Sequence, residues 1–305
     1  ASFAGTETAL YFGSGYAANL GLLTSLLGKE DLVFSDALNH ASIIDAIRLS
    51  GARRVIYRHG DLNELEELLQ RHEAERCRKI VVTESVFSMD GDVADVNAIV
   101  ELAERFGASV IVDEAHATAV RGPEGRGIVA ETGNTQRVLA MLHTCGKALA
   151  SAGAFVCGSS VLKEHLINRA RTFIFSTAMP PYLAEQIGAA LRLARGMELE
   201  RKELRRIAEE FAADLRRDGW DTSATSSQII PVLVGTNENA LVAAEYLQAD
   251  GFAVRAIRPP TVEEGKSRLR LSLTSKIGWD ELVRLRSSLS MWRARMDVHT
   301  AAGCA

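Results

Sequence analysis

Lys147 lies in the run Thr144-Cys145-Gly146-Lys147-Ala148-Leu149-Ala150-Ser151-Ala152-Gly153, among small residues rather than the mixed charges around a typical surface lysine. That setting predicts a desolvated amine, and desolvation lowers an amine's pKa and makes it a nucleophile toward carbonyls. A solvated Gly/Ala loop would have the same composition, so the lysine needs partners to be informative. Three other segments carry reactive groups: Gly13-Ser14-Gly15-Tyr16, Asn39-His40 and Asp113-Glu114-Ala115-His116. Gly13-x-Gly15-x-x-Ala18 follows an apolar run and opens a helix, which suits a phosphate: glycine allows close backbone approach and a helix start offers N–H donors. With Asp36 after the next strand, the same residues mimic a dinucleotide fingerprint and leave a nicotinamide oxidoreductase as an alternative. Asp113-Glu114-Ala115-His116 spells a helicase acidic box, but Gly146-Lys147 follows it instead of preceding it and lacks the Walker spacing, which excludes that class. A carboxylate at the buried end of an apolar strand calls for a cationic partner. His40 by itself could equally cap a helix or fill a core.

The combination narrows the chemistry. An anion-binding helix start, a flat imidazole, an acid for a ring nitrogen and a lysine for an aldehyde are together the requirements of pyridoxal phosphate. An ion pair between Asp113 and a protonated pyridine nitrogen would contribute on the order of 4 kcal/mol at an effective dielectric of 20. The order of phosphate loop, ring-stacking residue, acid and lysine fits the aspartate-aminotransferase-like class.

In an open parallel sheet, residues just past the carboxyl ends of strands line the ligand crevice, and all four segments occupy such positions. Up to about residue 158, strand-length apolar runs (32–34, 54–57, 79–83, 109–112, 138–142 and 154–157) alternate with helical stretches at 16–27, 62–76 and 95–106. This order predicts an α/β fold with a mostly parallel sheet. Pro180-Pro181 opens a single long helical pattern to about residue 217. A strand (228–234), a helix (238–247), two strands (252–257 and 268–273) and a helix from Trp279 then predict a smaller α+β domain. The expected division is a cofactor-binding large domain at 1–195, a small C-terminal domain at 196–290 and a frayed tail at 291–305. Of the 305 residues, 47% are hydrophobic, enough for one or two cores, and 35 basic against 39 acidic side chains leave a net charge of -4 with no general attraction to nucleic acid. Apolar runs are too short to span a membrane, and four scattered cysteines suggest neither disulfides nor a metal site, so a cytoplasmic setting is expected. No basic-then-apolar leader is seen at Ala1.

At these residues the chain resembles the α-oxoamine synthase family, a branch of the class II aminotransferases with PLP fold type I. The matching stretches are 13–19 (GSGYAAN), 39–42 (NHAS), 82–92 (VTESVFSMDGD), 112–118 (VDEAHAT), 125–127 (GRG), 176–181 (STAMPP), 257–262 (IRPPTV) and 268–274 (RLRLSLT). By this resemblance Gly15 and Tyr16 bind the cofactor phosphate through backbone N–H groups, with Thr144 from the same subunit. Ser176 and Thr177 would reach the phosphate of a neighbouring subunit, implying a homodimer. His40 would stack on the pyridine ring and assist at the thioester carbonyl, Asp113 would pair with the ring nitrogen, His116 would contact the phenolic oxygen, and Glu84 and Ser88 would line the site. Lys147 would carry the cofactor and act as base, and Arg270, in preference to Arg268, would hold the amino-acid carboxylate. The implied reaction is decarboxylative condensation of an amino acid with an acyl thioester. The stretch 257–262 favours the biotin-synthesis branch, with alanine and pimeloyl-CoA or a pimeloyl carrier protein, over the glycine C-acetyltransferase, 5-aminolevulinate synthase and serine palmitoyltransferase branches. The resemblance also implies an N-terminal segment ahead of Ala1 that serves the small domain, dimer contacts and substrate pocket. An alternative for a chain lacking it is a truncated homologue that binds cofactor with little turnover. Cys145 stands where the family usually has an aromatic residue.

Overall fold

The structure is a computed structural model that describes the backbone of residues 1–302 and side chains through Met296. The chain forms two compact units, one from Ala1–Phe87 and Ala94–Glu198, the other from Ser88–Val93 and Leu199 onward. The first contains β1 (Thr8–Phe12), α1 (Gly15–Leu26), β2 (Leu32–Asp36), α2 (Ala41–Ser50), β3 (Arg53–Tyr57), α3 (Leu62–Arg71), β4 (Lys79–Glu84), α4 (Val96–Arg105) and β5 (Ser109–Asp113). After these come α5 (Ile128–Glu131), β6 (Ala140–Thr144), β7 (Ala154–Gly158), α6 (Ser160–Arg169), α7 (Arg171–Ile174) and α8 (Tyr182–Gly196). The seven strands form one sheet in the order β1-β7-β6-β5-β4-β2-β3. Strands β2 to β6 pair in parallel, and β7 runs antiparallel to both β1 and β6.

Strands β2 and β4 are buried along their whole length, as expected of parallel strands with both faces covered. The helices bury one stripe each: Leu65 and Leu69 of α3, or Val96, Ile99, Val100 and Ala103 of α4. Side chains at the helix starts fix where each begins. Ser14, Asp61, Asp95 and Ser159 accept hydrogen bonds from first-turn N–H groups. One apolar cluster joins α1 (Ala18, Leu22, Leu23), α2 (Ile43, Ala46, Ile47) and the strand residues Val33, Ile80 and Ile111, so the helices that carry the candidate residues are packed on the sheet that carries the others.

Several boundaries differ from the sequence reading. β6 begins and ends two residues later than expected, which makes Thr144 a strand residue. α3 stops at Arg71, where the following His72 and Glu75 side chains bond to each other (2.6 Å) and Glu75 turns to Arg53 of β3. The long helix expected from 180 to 217 is two helices: α8 ends at Gly196, Met197 takes a non-helical ψ of 43°, and α9 (Glu198–Arg217) begins.

The second unit continues from α9 with β8 (Ile229–Gly235), α10 (Asn237–Ala249), β9 (Arg255–Ile257), β10 (Ser267–Ser272) and α11 (Trp279–Ala302), its three strands antiparallel in the order β8-β10-β9. Residues 291–302, expected as a frayed tail, are the end of α11; buried Trp292 stacks on Trp220 at 6.1 Å, an anchor invisible to local periodicity. Residues 303–305 of that tail lie outside the described residues. Ser88–Val93 belongs with this unit although it is far from it in sequence. Asp90 pairs with Arg268 at 2.6 Å, and Gly91 accepts from Ser226 N–H at 3.1 Å. Among the described residues no helix is long and apolar enough to cross a membrane. Gly91 has φ +71°, and a Cβ there would overlap the Ile229 carbonyl. Gly91→Ala is therefore expected to destabilise the second unit by about 2–4 kcal/mol, read as a lower urea midpoint for its transition.

Candidate active site

The ends of β4, β5 and β6 and the starts of α1 and α2 surround a cavity of about 270 Å³, whose walls include Gly15, Tyr16, Asn19, His40, Ser42, Glu84, Asp113, Thr144 and Lys147. Residues separated by more than a hundred positions meet there because parallel strands bring their carboxyl ends to one edge of the sheet. Asp113 ends β5 and stands in register with Glu84, which ends β4. Its carboxylate accepts from Asn19 Nδ2 through Oδ2 (2.8 Å) and from the Ala115 N–H through Oδ1 (2.9 Å). These two neutral donors stabilise a buried carboxylate for which the sequence reading expected a cationic partner. Fixed amide dipoles perform that role in a buried strand end.

Glu84 is buried, and its Oε1 has no hydrogen-bond partner among the described residues. Burial pushes its carboxyl well above the ordinary range and the charge of Asp113 pushes it further, while Lys147 and the backbone N–H of His40 act in the opposite sense. An orphaned buried oxygen on the wall of a cavity is a polar group that a ligand donor would satisfy. His40 caps α2: its Nδ1 accepts from the Ser42 N–H (3.2 Å) and lies 2.7 Å from Ser42 Oγ. Protein packed behind the ring removes water from it and lowers its pKa, an effect that Asp113 and Asp45 oppose and Lys147 reinforces.

Gly15 opens α1, and a Cβ on it would sit 2.7 Å from Thr144 Cγ2, so glycine here lets the helix start approach the end of β6. Ser14 caps the same helix by accepting from the Ala17 N–H at 3.0 Å. The first-turn N–H groups of a helix have no partners within it, and together with the Thr144 side chain they form a cradle suited to a phosphate. Lys147 lies on the loop between β6 and β7. That loop is closed by Cys145 N–H to Gly153 O (2.9 Å) and Ser151 N–H to Cys145 O (2.9 Å). Lys147 is exposed, as are Gly146, Ala148 and Ala150, which corrects the expectation of a desolvated amine: neighbours this small cannot cover it. Cys145 is buried, and desolvation pushes its thiol up to about 12, which leaves it unreactive packing beneath the loop.

The structure thus brings together Gly15, Tyr16, His40, Glu84, Asp113, Thr144 and Lys147. His116 is not among the walls of this cavity, and Ser176 and Thr177 line a separate groove of about 580 Å³ with Met179, Pro180, Leu183 and Ile187. Ser88 and Arg270 belong to the second unit. Asn19 and Ser42 were missed as site residues although both lie inside the matched stretches; a buried polar residue on the inner face of a helix next to the glycines was the available signal. Asp36, the acid of the dinucleotide alternative, accepts from Leu38 N–H (2.8 Å) and Gly60 N–H (3.0 Å) and pairs with His59 (2.9 Å), so it holds a turn and is not presented to a ribose.

These residues fit pyridoxal phosphate: a phosphate cradle, a ring-nitrogen acid, a flat imidazole, an unpartnered buried oxygen and a lysine face one cavity. The family model for class I and II aminotransferases matches residues 1–285, and the chain belongs to this family. Two curated relatives are named 8-amino-7-oxononanoate synthase. The one from Anaeromyxobacter dehalogenans (strain 2CP-1) is 48% identical over 275 residues, covering 90% of this chain and 69% of its own length. That of Geobacter sulfurreducens is 45% identical over 292 residues, 95% of this chain and 74% of the relative. Among solved structures, a serine palmitoyltransferase of S. paucimobilis with bound PLP superposes with a TM-score of 0.92 at 29% identity, covering 97% of this chain and 75% of that one.

The buried carboxyl of Glu84 makes stability pH-dependent. Its native pKa lies above the ordinary value of 4.5, so the folded chain binds this proton more tightly, and the contribution to stability is lost as pH rises from 4.5 through the native value. Glutamine does not titrate. Glu84→Gln should therefore gain on the parent chain as pH rises from 5 to 8 in urea unfolding of the ligand-free protein. An unchanged difference across that range would contradict the assignment.

Proposed function

We propose that the chain catalyses the decarboxylative condensation of an amino acid with an acyl thioester, with L-alanine and pimeloyl-CoA or a pimeloyl carrier protein giving 8-amino-7-oxononanoate, CoA and carbon dioxide for biotin synthesis. The observation that carries this reading is the convergence of Lys147, Asp113, His40, Glu84 and the start of α1 on one cavity, in a chain whose relatives share that name. Pyridoxal phosphate is the cofactor, and when bound it supplies an aldehyde for amines and a ring that accepts electron density from the substrate α-carbon.

The protein does the rest. The Gly15 and Tyr16 N–H groups and Thr144 bind the phosphate, and Asp113, held in place by Asn19 and Ala115, keeps a proton on the ring nitrogen. Lys147 would hold the aldehyde through its amine and would take the α-proton of the substrate. His40 packs its imidazole on the ring and donates to the thioester carbonyl, and His116 donates to the phenolic oxygen. Ser88 and Glu84 line the site, and Arg270 binds the amino-acid carboxylate as a bidentate partner. A homodimer is part of this reading. It is supported by the apolar groove holding Ser176 and Thr177, beside which Phe175 and Tyr182 are exposed.

The deciding measurement is thiol release from a panel of acyl-CoAs with alanine, glycine and serine, run beside Lys147→Ala. Alanine with pimeloyl-CoA is expected to be the best pair, and Lys147→Ala should lower turnover on the order of 10³-fold or more. Borohydride should trap the cofactor on Lys147 in the parent chain only. Preference for another pair would assign the chain to another branch, and trapping without thiol release from any pair would make it a cofactor-binding homologue of little activity. Gly15→Ala places a methyl group against Thr144 and is expected to weaken cofactor binding about 10-fold or more, measured by absorbance titration, with the fold retained.

A further inference from the structure

The cavity wall contains a hydrogen-bond chain whose direction can be read atom by atom. The Ser42 backbone N–H, which can only donate, points to His40 Nδ1 at 3.2 Å. That nitrogen is therefore an acceptor and carries no proton in this arrangement. Asn19 Nδ2 has two hydrogens and two acceptors, Asp113 Oδ2 at 2.8 Å and Ser42 Oγ at 2.9 Å. With one hydrogen of Asn19 directed to it, the Ser42 hydroxyl has its own hydrogen for His40 Nδ1, 2.7 Å away. Asn19, Ser42 and Asp113 are buried, so this orientation is shielded from exchange with water.

We propose that Asn19 and Ser42 are positioning residues that keep the His40 proton on Nε2, so that His40 enters the reaction as a neutral hydrogen-bond donor toward a substrate oxygen and not as an imidazolium. The proposal rests on the function proposed above and names two residues that act through His40. A proton on Nδ1 would oppose the Ser42 N–H, so the chain disfavours both the other tautomer and the cation. The charged groups that act on the ring are Asp113 and Asp45, which favour its protonation, and Lys147, which disfavours it; Glu84 faces the backbone of His40 across the same wall. Protein packed behind the ring acts in the same direction as the hydrogen-bond chain, although the residue as a whole is exposed.

The test uses the full chain labelled with ¹⁵N-histidine, whose two-bond ¹H–¹⁵N correlations report tautomer and pKa; His40 is assigned by its loss in His40→Asn. The parent chain should show His40 as the Nε2–H tautomer with a depressed pKa. Ser42→Ala removes the hydroxyl donor and should give mixed tautomers with a pKa higher than in the parent. In the same variant the acid limb of kcat/KM should move to higher pH, so that activity falls about 10-fold further at pH 6 than at pH 8.5. Ser42→Thr, which keeps a hydroxyl, should restore both readouts, and near-UV circular dichroism checks that each variant is folded. An Nδ1–H tautomer in the parent chain, or nitrogen shifts unchanged in Ser42→Ala, would overturn the proposal. An altered tautomer with an unaltered pH profile would overturn its role in the reaction. A parent chain with the Nε2–H tautomer but no thiol release would count against the proposed function and leave the tautomer assignment standing.

Discussion

Two carboxylates end adjacent parallel strands on the floor of one cavity, and they are treated differently by the protein around them. Asp113 receives two hydrogen bonds from amide donors fixed on α1 and on its own following turn. Glu84, directly across the ladder, is buried with one oxygen unmatched, and the charge of Asp113 weighs against its own. Like charges this close in a low-dielectric setting cannot be stabilised equally by one set of donors. The asymmetry supports the proposed roles, Asp113 as the acid for a ring nitrogen and Glu84 as the group whose polarity a bound molecule would complete.

This arrangement requires α1 and α2 to be held tightly against the sheet, because Asn19 on α1 and Ser42 on α2 supply the side chains that connect Asp113 to His40. Their packing is apolar, through Ala18, Leu22 and Leu23 on one helix and Ile43, Ala46 and Ile47 on the other. A second buried acid, Glu114, supports the same region from behind. It accepts from Ser85 Oγ (2.6 Å) and from the Ile128 and Val129 N–H groups (3.1 and 2.6 Å), and burial lifts its carboxyl to about 7. Gly127 at φ +97° leaves room for that carboxylate, since a Cβ there would stand 2.6 Å from it. The matched stretches 112–118 and 125–127 are thus two sides of one contact beneath the site.

The alternation of strands and helices was readable because parallel strands are buried on both faces and announce themselves as apolar runs. The position of Asp113 at a strand end and of Lys147 just past one followed from that reading, whereas β6 ends two residues later than read and takes in Thr144. Three features were not readable locally. The excursion Ser88–Val93 depends on Arg268 and on the tight passage of Gly91 beside Ile229, both well over a hundred residues away. The same ion pair distinguishes Arg268 from Arg270, which strand alternation cannot do because residues two apart share a face. The break at Met197 and the extension of α11 beyond residue 290 depend on tertiary packing, in the second case of Trp292 on Trp220. The exposure of Lys147 was misread because small neighbours resemble a desolvated setting in composition but cover little surface.

His40 shows why a residue's two possible roles need not compete. As a helix cap its Nδ1 must accept from the Ser42 N–H, and a capping acceptor cannot carry a proton. The cap therefore acts in the same direction as the Ser42 hydroxyl, and in the proposed role the nitrogen left for chemistry is the protonated one. Stability of α2 and the chemical state of the imidazole are then one interaction seen from two sides. Replacing His40 disturbs both at once, so only changes at Ser42 or Asn19, which leave the ring in place, can separate the helix start from the donor that faces the cavity.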